Sequence, residues 1–162
     1  MNSNKNPSKD YLSYEDAKLK MEKFCIYQDR CHYDVEKKLR SFGLTEDINN
    51  QILIDLIQDN FLNEERFAKS FVRGKFNQKK WGKTKIKFEL KKRHIHNNLI
   101  NDALKEIDYK VYFETLKQLH HKKYNSVKAA NAFLKNKKVI SYLLNRGYEY
   151  QLIREVIQDF KE

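Results

Sequence analysis

Apolar side chains recur along this chain in a single frame that is written three times. Leu39-Arg40-Ser41-Phe42-Gly43-Leu44, Leu90-Lys91-Lys92-Arg93-His94-Ile95 and Leu143-Leu144-Asn145-Arg146-Gly147-Tyr148 are versions of one phrase. Four positions before each leucine stand Val35, Ile86 and Val139, and nine positions after it Ile48, Leu99 and Leu152. Thirteen positions after come Ile52, Ala103 and Val156, and seventeen after come Leu56, Ile107 and Phe160. Steps of four with a longer stride across the phrase are the signature of one helix, a turn and a second helix. The leucines are 51 and 53 residues apart, a period at the upper edge of helical repeat architectures.

The same periodicity predicts three helices per unit. In the first unit Ser13 is a candidate N-cap, with Glu15 and Asp16 in the first turn and Ala17, Met21, Phe24 and Cys25 at helical spacing. Val35, Leu39 and Phe42 follow on a second helix that Gly43 ends, and Thr45 caps a third carrying Ile48, Ile52, Leu53, Leu56 and Ile57. The second unit repeats this order: Asn63 as cap, Phe67, Ala68, Phe71, Val72 and Phe76 inward, a turn at Gly82, then Ile86 and Leu90. His94 stands where Gly43 and Gly147 stand, and histidine is among the few side chains enriched at positive φ, so a left-handed backbone is expected there. In the third unit Lys122, Lys123, Tyr124 and Asn125 interrupt the pattern, and the two extra residues of register are placed there. Ser126 is then expected to cap one long helix running to Gly147, before a last helix through Leu152, Val156 and Phe160.

The fold class predicted is all-α: nine helices as three tandem three-helix repeats forming an elongated, curved array. The expected divisions are a disordered tail over residues 1–12, then repeats over 13–60, 61–109 and 110–162. Four Gly and one Pro in 162 residues leave few helix breakers. No apolar run approaches a membrane span and the start lacks a signal-peptide core, so a cytoplasmic protein is expected, most simply a monomer. Cys25 falls on the position of Phe76 one unit later, which reads as a core thiol rather than half of a disulfide.

Charge changes this picture. The chain carries a net +11, but residues 10–60 hold seven Lys or Arg against eleven Asp or Glu, whereas residues 61–109 hold thirteen against six. Between Arg73 and Arg93 ten cations face one acid, Glu89, interleaved with Phe76, Trp81 and Phe88. Such a run gains affinity for nucleic acid mainly by releasing condensed counterions, without reading bases. Its bland alternative is a solvated face that keeps helices soluble. By spacing, Phe76 and Phe88 are expected in the core, while Trp81, at a turn, is balanced between covering a core and stacking on a base or a partner's side chain.

Other chemistry is thinly represented. Glu36, Glu46, Asp47, Asp55 and Asp59 lack the spacing of a divalent-cation site, and a solvated face is expected of them, with contact to a basic patch on a protein partner as the alternative. His94 with His96, and His120 with His121, have no accompanying Cys pair or His-Glu-x-x-His pattern. No phosphate-binding glycine loop or nucleophile elbow is present, so a non-enzyme without cofactor or metal is expected.

One stretch carries a resemblance. Phe61-Leu62-Asn63-Glu64-Glu65-Arg66-Phe67-Ala68-Lys69-Ser70-Phe71-Val72, followed by Gly82, Ile86, Leu90 and then Ala103-Leu104, resembles the RecX regulatory family. The likeness extends from about Ala17 to Phe160, with His94 in place of the family's usual glycine and Trp81 where a basic or small residue is more common. It implies a non-enzymatic modulator that binds the RecA recombinase filament on single-stranded DNA and lowers its assembly, ATPase and strand exchange in recombination, DNA repair and the SOS response. The candidate DNA or filament contacts are Arg66, Arg73, Lys75, Lys79, Lys80, Trp81, Lys83, Lys85, Lys87, Lys91 and Lys92. The competing reading is a free-standing nucleic-acid-binding protein using helix-turn-helix-like units.

Overall fold

The computed structural model describes residues 12–160, and the expectation of a disordered tail falls outside them except at Leu12. Among the described residues there are nine α-helices and no strand. They are α1 (Tyr14–Tyr27), α2 (His32–Arg40), α3 (Glu46–Gln58), α4 (Glu64–Lys79), α5 (Lys83–Lys91), α6 (Asn97–Leu104), α7 (Tyr109–Ser126), α8 (Ala132–Asn145) and α9 (Tyr150–Asp159). The described residues form two compact units, divided between Glu64 and Glu65. The second therefore contains two helical triplets.

In the first unit both expected caps form. Ser13 accepts from the Asp16 N–H at 3.1 Å and Thr45 from the Ile48 N–H at 3.4 Å. Each satisfies one of the orphan amides at a helix start. Ala17, Met21 and Cys25 of α1 pack against Val35 and Leu39 of α2 and Ile52 and Leu56 of α3, with Leu62 closing the cluster. Leu12 packs on the same core. Cys25 and Cys31 are buried, Cys25 within this core as its position foretells. The acidic residues divide: Asp55 accepts from the Tyr14 hydroxyl, which lowers its pKa, and Lys18 reaches Asp59 at 3.1 Å, so this pair joins α1 to α3 rather than lying idle in solvent.

In all three triplets the repeated frame becomes a repeated core. Val35, Ile86 and Val139 are fully buried, as are Ile52, Ala103 and Val156, and the three phrase leucines are at most 1% exposed. The phrase itself is a helix stop. His94 and Gly147 take φ of +59° and +90°, and Gly43 takes +71°. Behind His94, the Ile95 N–H bonds back to the Leu90 carbonyl and the His94 N–H to Lys91, both bonds of a Schellman motif. Tyr148 and Gly147 make the same two bonds to Leu143 and Leu144. The residue after each left-handed position, Ile95 or Tyr148, is then buried, which explains why that position is apolar.

Three expectations are corrected. Phe160, seventeen after its leucine, is 49% exposed because α9 ends at Asp159. Phe88 is not core: at 57% exposure it lies off the face that buries Ile86 and Leu90. The third triplet does not have one helix from Ser126 to Gly147. Helix α7 continues through Lys122–Asn125 and ends at Ser126, and Asn131 caps α8 by accepting from the Leu134 N–H at 2.9 Å. An Asn in extended conformation that bonds forward to the backbone competes with helix propagation through it. The buried first-helix series is Ala17, Met21, Cys25, then Ala68, Val72, Phe76, then Tyr112, Leu116, His120. Hence the span from this core to the phrase leucine is nine residues longer in the third triplet, while the preceding connection is seven shorter; the two-residue register difference is the net of these.

Candidate nucleic-acid interface

The basic run occupies the end of α4, the α4–α5 turn and all of α5. Helix α4 closes at Lys80, which adopts φ +53°, with the Lys80 N–H bonded to the Phe76 carbonyl and the Trp81 N–H to Lys75. Gly82 then begins α5 with no side chain to cap it. Its orphan amides are met from the third triplet instead. The Gly82 N–H donates to the Arg146 carbonyl at 2.8 Å, the Lys83 N–H to the Tyr112 hydroxyl oxygen at 2.9 Å, and the Thr84 N–H to the Gly147 carbonyl at 3.1 Å. The C-terminal end of α8 thus meets the N-terminal end of α5, opposite partial charges of two helix dipoles.

Polar side chains tighten this junction. Arg146 Nη1 donates to the Lys79 carbonyl at 2.6 Å, the Tyr148 hydroxyl donates to the Lys80 carbonyl at 3.2 Å, and Lys85 Nζ donates to the Asn145 carbonyl at 3.3 Å. The Tyr112 hydroxyl donates to Glu149 at 2.7 Å, and burial followed by that bond pushes its pKa up. Burial likewise raises Tyr148. Both phenols are therefore neutral donors at physiological pH. The turn bearing Lys79, Lys80 and Trp81 is consequently held in one conformation.

On this rigid turn the candidate residues are distributed unevenly. Lys75, Trp81 and Lys85 come together: Lys75 Nζ lies 5.0 Å and Lys85 Nζ 4.7 Å from the Trp81 ring centroid. Lys79, Lys80, Lys91 and Lys92 are exposed, and Lys87 is partly so. Among the described residues the Lys79, Lys87 and Lys91 ammonium groups have no partner. Arg66 is half-buried in the first turn of α4. Two candidates are diverted: Arg73 pairs with Glu106 at 2.8 Å, and Lys83 covers the Tyr112 ring at 5.0 Å. Glu89, the lone acid, is pushed up by burial, but Arg93 and Lys92 outweigh this and hold its carboxyl low. It is thus an anion already shared by two cations, at 3.3 Å each.

Sequence reading missed three participants. Phe88 is an exposed aromatic on α5 with Lys92 Nζ 4.4 Å from its centroid. Phe71 takes Lys75 on one approach at 5.1 Å and Arg93 on another at 5.2 Å. Arg146 acts from the third triplet through its contact with Lys79. The spacing Lys85, Phe88, Lys92, with Trp81 in the turn just before, was the available signal. The histidine pairs behave differently: His120 is buried with both ring nitrogens unpartnered among the described residues, beside a cavity of about 230 Å³ that His121, Tyr124 and Phe160 also line. No group of three potential metal ligands occurs among the described residues, and no helix is long and apolar enough to cross a membrane.

These features define an all-α protein of tandem three-helix domains. Residues 63–104 match the family description "RecX, second three-helix domain" and residues 110–157 "RecX, third three-helix domain". The chain is similar to the crystal structure of RecX from Lactobacillus salivarius, with a TM-score of 0.80 and 30% identity, covering 91% of this chain and 96% of that one. It is 32% identical to the regulatory protein RecX of Clostridium acetobutylicum over 130 residues, 78% of this chain, and 28% identical to that of Clostridioides difficile over 151 residues, 93% of this chain. The chain spans 60% of the first relative's length and 71% of the second's. The chain belongs to the RecX family of regulatory proteins.

Proposed function

We propose that this protein regulates a RecA recombinase, binding its filament on single-stranded DNA and restraining filament assembly, DNA-dependent ATP hydrolysis and strand exchange. Family membership supports the regulatory role. The observation that carries the nucleic-acid part is the basic α4–α5 surface, ten cations against one acid between Arg73 and Arg93, presented on a turn that is pinned from behind. Arg66, Arg73, Lys75, Lys79, Lys80, Trp81, Lys83, Lys85, Lys87, Lys91 and Lys92 are the proposed contacts, with Lys79, Lys87 and Lys91 foremost because their ammonium groups are unengaged among the described residues. The action is by binding, not catalysis, and takes place in the cytoplasm, where the recombinase works.

The test is ATP turnover by the cognate recombinase on single-stranded DNA. Substoichiometric protein is expected to slow hydrolysis at a salt concentration where its own DNA binding is weak. Hydrolysis that stays constant across a full titration rejects the proposal.

A further inference from the structure

We infer that the α4–α5 face stacks unpaired nucleobases on Trp81 and Phe88, in addition to attracting phosphates. The inference rests on the nucleic-acid reading of this face and adds to it the part of the strand that is recognised. Lys85, Phe88 and Lys92 follow one face of α5, since residues three and four apart on a helix are neighbours, and Trp81, in the turn before α5, joins this row through Lys85. Lysines shadow both rings: Lys85 and Lys75 sit 4.7 Å and 5.0 Å from Trp81, and Lys92 sits 4.4 Å from Phe88. Phe71, between Lys75 and Arg93, continues the same alternation on α4.

Folding does not account for Phe88. Ile86 and Leu90 already fill the buried positions of α5, and Phe88 is 57% exposed. The corresponding positions of the neighbouring triplets hold Lys37 and Ser141, and those of Trp81 hold Arg30 and Leu134. Aromatic faces on a strongly cationic surface suit a ligand that is a polyanion with planar apolar groups at regular intervals. A single strand of nucleic acid is such a ligand; in a duplex the base faces are hidden. The lysines that cover the rings end in flexible stems. When a base takes their place they swing from ring to phosphate, Lys85 exchanging its bond to the Asn145 carbonyl and Lys92 its pair with Glu89 for the phosphate.

Trp81 is the sole tryptophan, which makes its fluorescence a direct reporter. The experiment titrates the full chain with an oligo-dT, with an oligomer of equal length that is largely abasic, with a duplex, and with polyglutamate. Oligo-dT is expected to quench Trp81, and the abasic strand to bind more weakly with little quenching. Phe88→Leu, which leaves the core untouched, is expected to weaken oligo-dT binding about 5- to 150-fold, the usual worth of one stacked base. The same variant should leave abasic-strand binding unchanged.

Equal affinity of dT and abasic strands, or quenching by polyglutamate as strong as by dT, overturns the inference and leaves a phosphate-only or acidic-protein surface. Recombinase ATP turnover separates the two proposals. Loss of stacking with intact suppression of hydrolysis removes this inference alone, whereas loss of suppression with intact stacking removes the regulatory one.

Discussion

Gly82 and Gly147 meet backbone to backbone: a Cβ placed on Gly82 would lie 2.1 Å from the Gly147 carbonyl oxygen, and one placed on Gly147 would lie 2.3 Å from Lys85 Cβ. Each glycine is needed for the other's neighbour. Because the obstructing atoms at Gly82 are backbone, no side-chain rotation relieves the clash, and the bonds from the Gly82 and Thr84 amides must break. Gly82→Ala is therefore expected to cost about 1–3 kcal/mol or more, the range for overpacking. Urea denaturation followed by Trp81 fluorescence checks this, since Trp81 adjoins the junction. A variant as stable as the parent would show that the two turns do not meet.

His94 carries the left-handed backbone that glycine carries in the sibling triplets. A Cβ at φ +59° costs about 1 kcal/mol relative to glycine. His94→Gly is expected to be neutral or stabilising by up to that amount in a thermal melt. A substantial loss would mean the imidazole contributes contacts that outweigh its backbone cost.

What could be read from the residues ends where contacts cease to be local. Helix starts at Ser13 and Thr45, the stop at His94, and the buried columns through Val35, Ile86 and Val139 depend on local spacing, and these were legible. The junction of Gly82 with Gly147 joins positions 65 residues apart, and nothing in either neighbourhood announces it; a glycine at a turn reads the same whether or not another backbone lies against it. Phe88 was misplaced for a related reason. An aromatic beside Ile86 and Leu90 satisfies a loose helical period, and only the packed face shows that α5 buries two positions and not three. In the third triplet, opposite length changes on either side of α7 cancelled to leave a register that looked nearly unbroken.

Leu90 is fully buried and its carbonyl also receives the Ile95 amide. Leu90→Ala is expected to cost about 2–5 kcal/mol, lost side-chain burial plus the remaining cavity. Chemical denaturation measures it directly. A change below about 0.5 kcal/mol is the size found at surface sites and would contradict the burial.

His120 occupies the core column of Cys25 and Phe76, and there its imidazole has no partner among the described residues. Burial, aided by His121, lowers its pKa below the ordinary value near 6.5. The unfolded chain then binds the proton more readily than the folded one. Stability is expected to be full above about pH 6.5 and to fall as the pH drops below it. Tyr124 and Phe160 lie against the ring at 5.8 Å and 4.8 Å between centroids, and neither offers a compensating negative charge. His120→Phe removes the titrating group, so its melting temperature should vary less between pH 7 and pH 5 than the parent's. Equal slopes in the two proteins would assign the acid response elsewhere.

Lys79, Lys87 and Lys91 differ from their neighbours in having ammonium groups that touch no ring and no carboxylate among the described residues, whereas Lys75, Lys83, Lys85 and Lys92 each already cover an aromatic ring. Cations without an internal partner give up nothing when they meet a phosphate, so the counterion-release component of binding should concentrate on these three. Replacing all three with Gln is expected to lower the slope of log affinity against log salt by roughly 0.7 per cation on a single strand. Folding should be unaffected, because no internal contact is removed. Measuring affinity for one oligo-dT between low and moderate salt provides the check. A slope identical to the parent's would show that this part of the basic surface only solubilises the helices, and the phosphate contacts would have to be sought among the lysines that lie on rings.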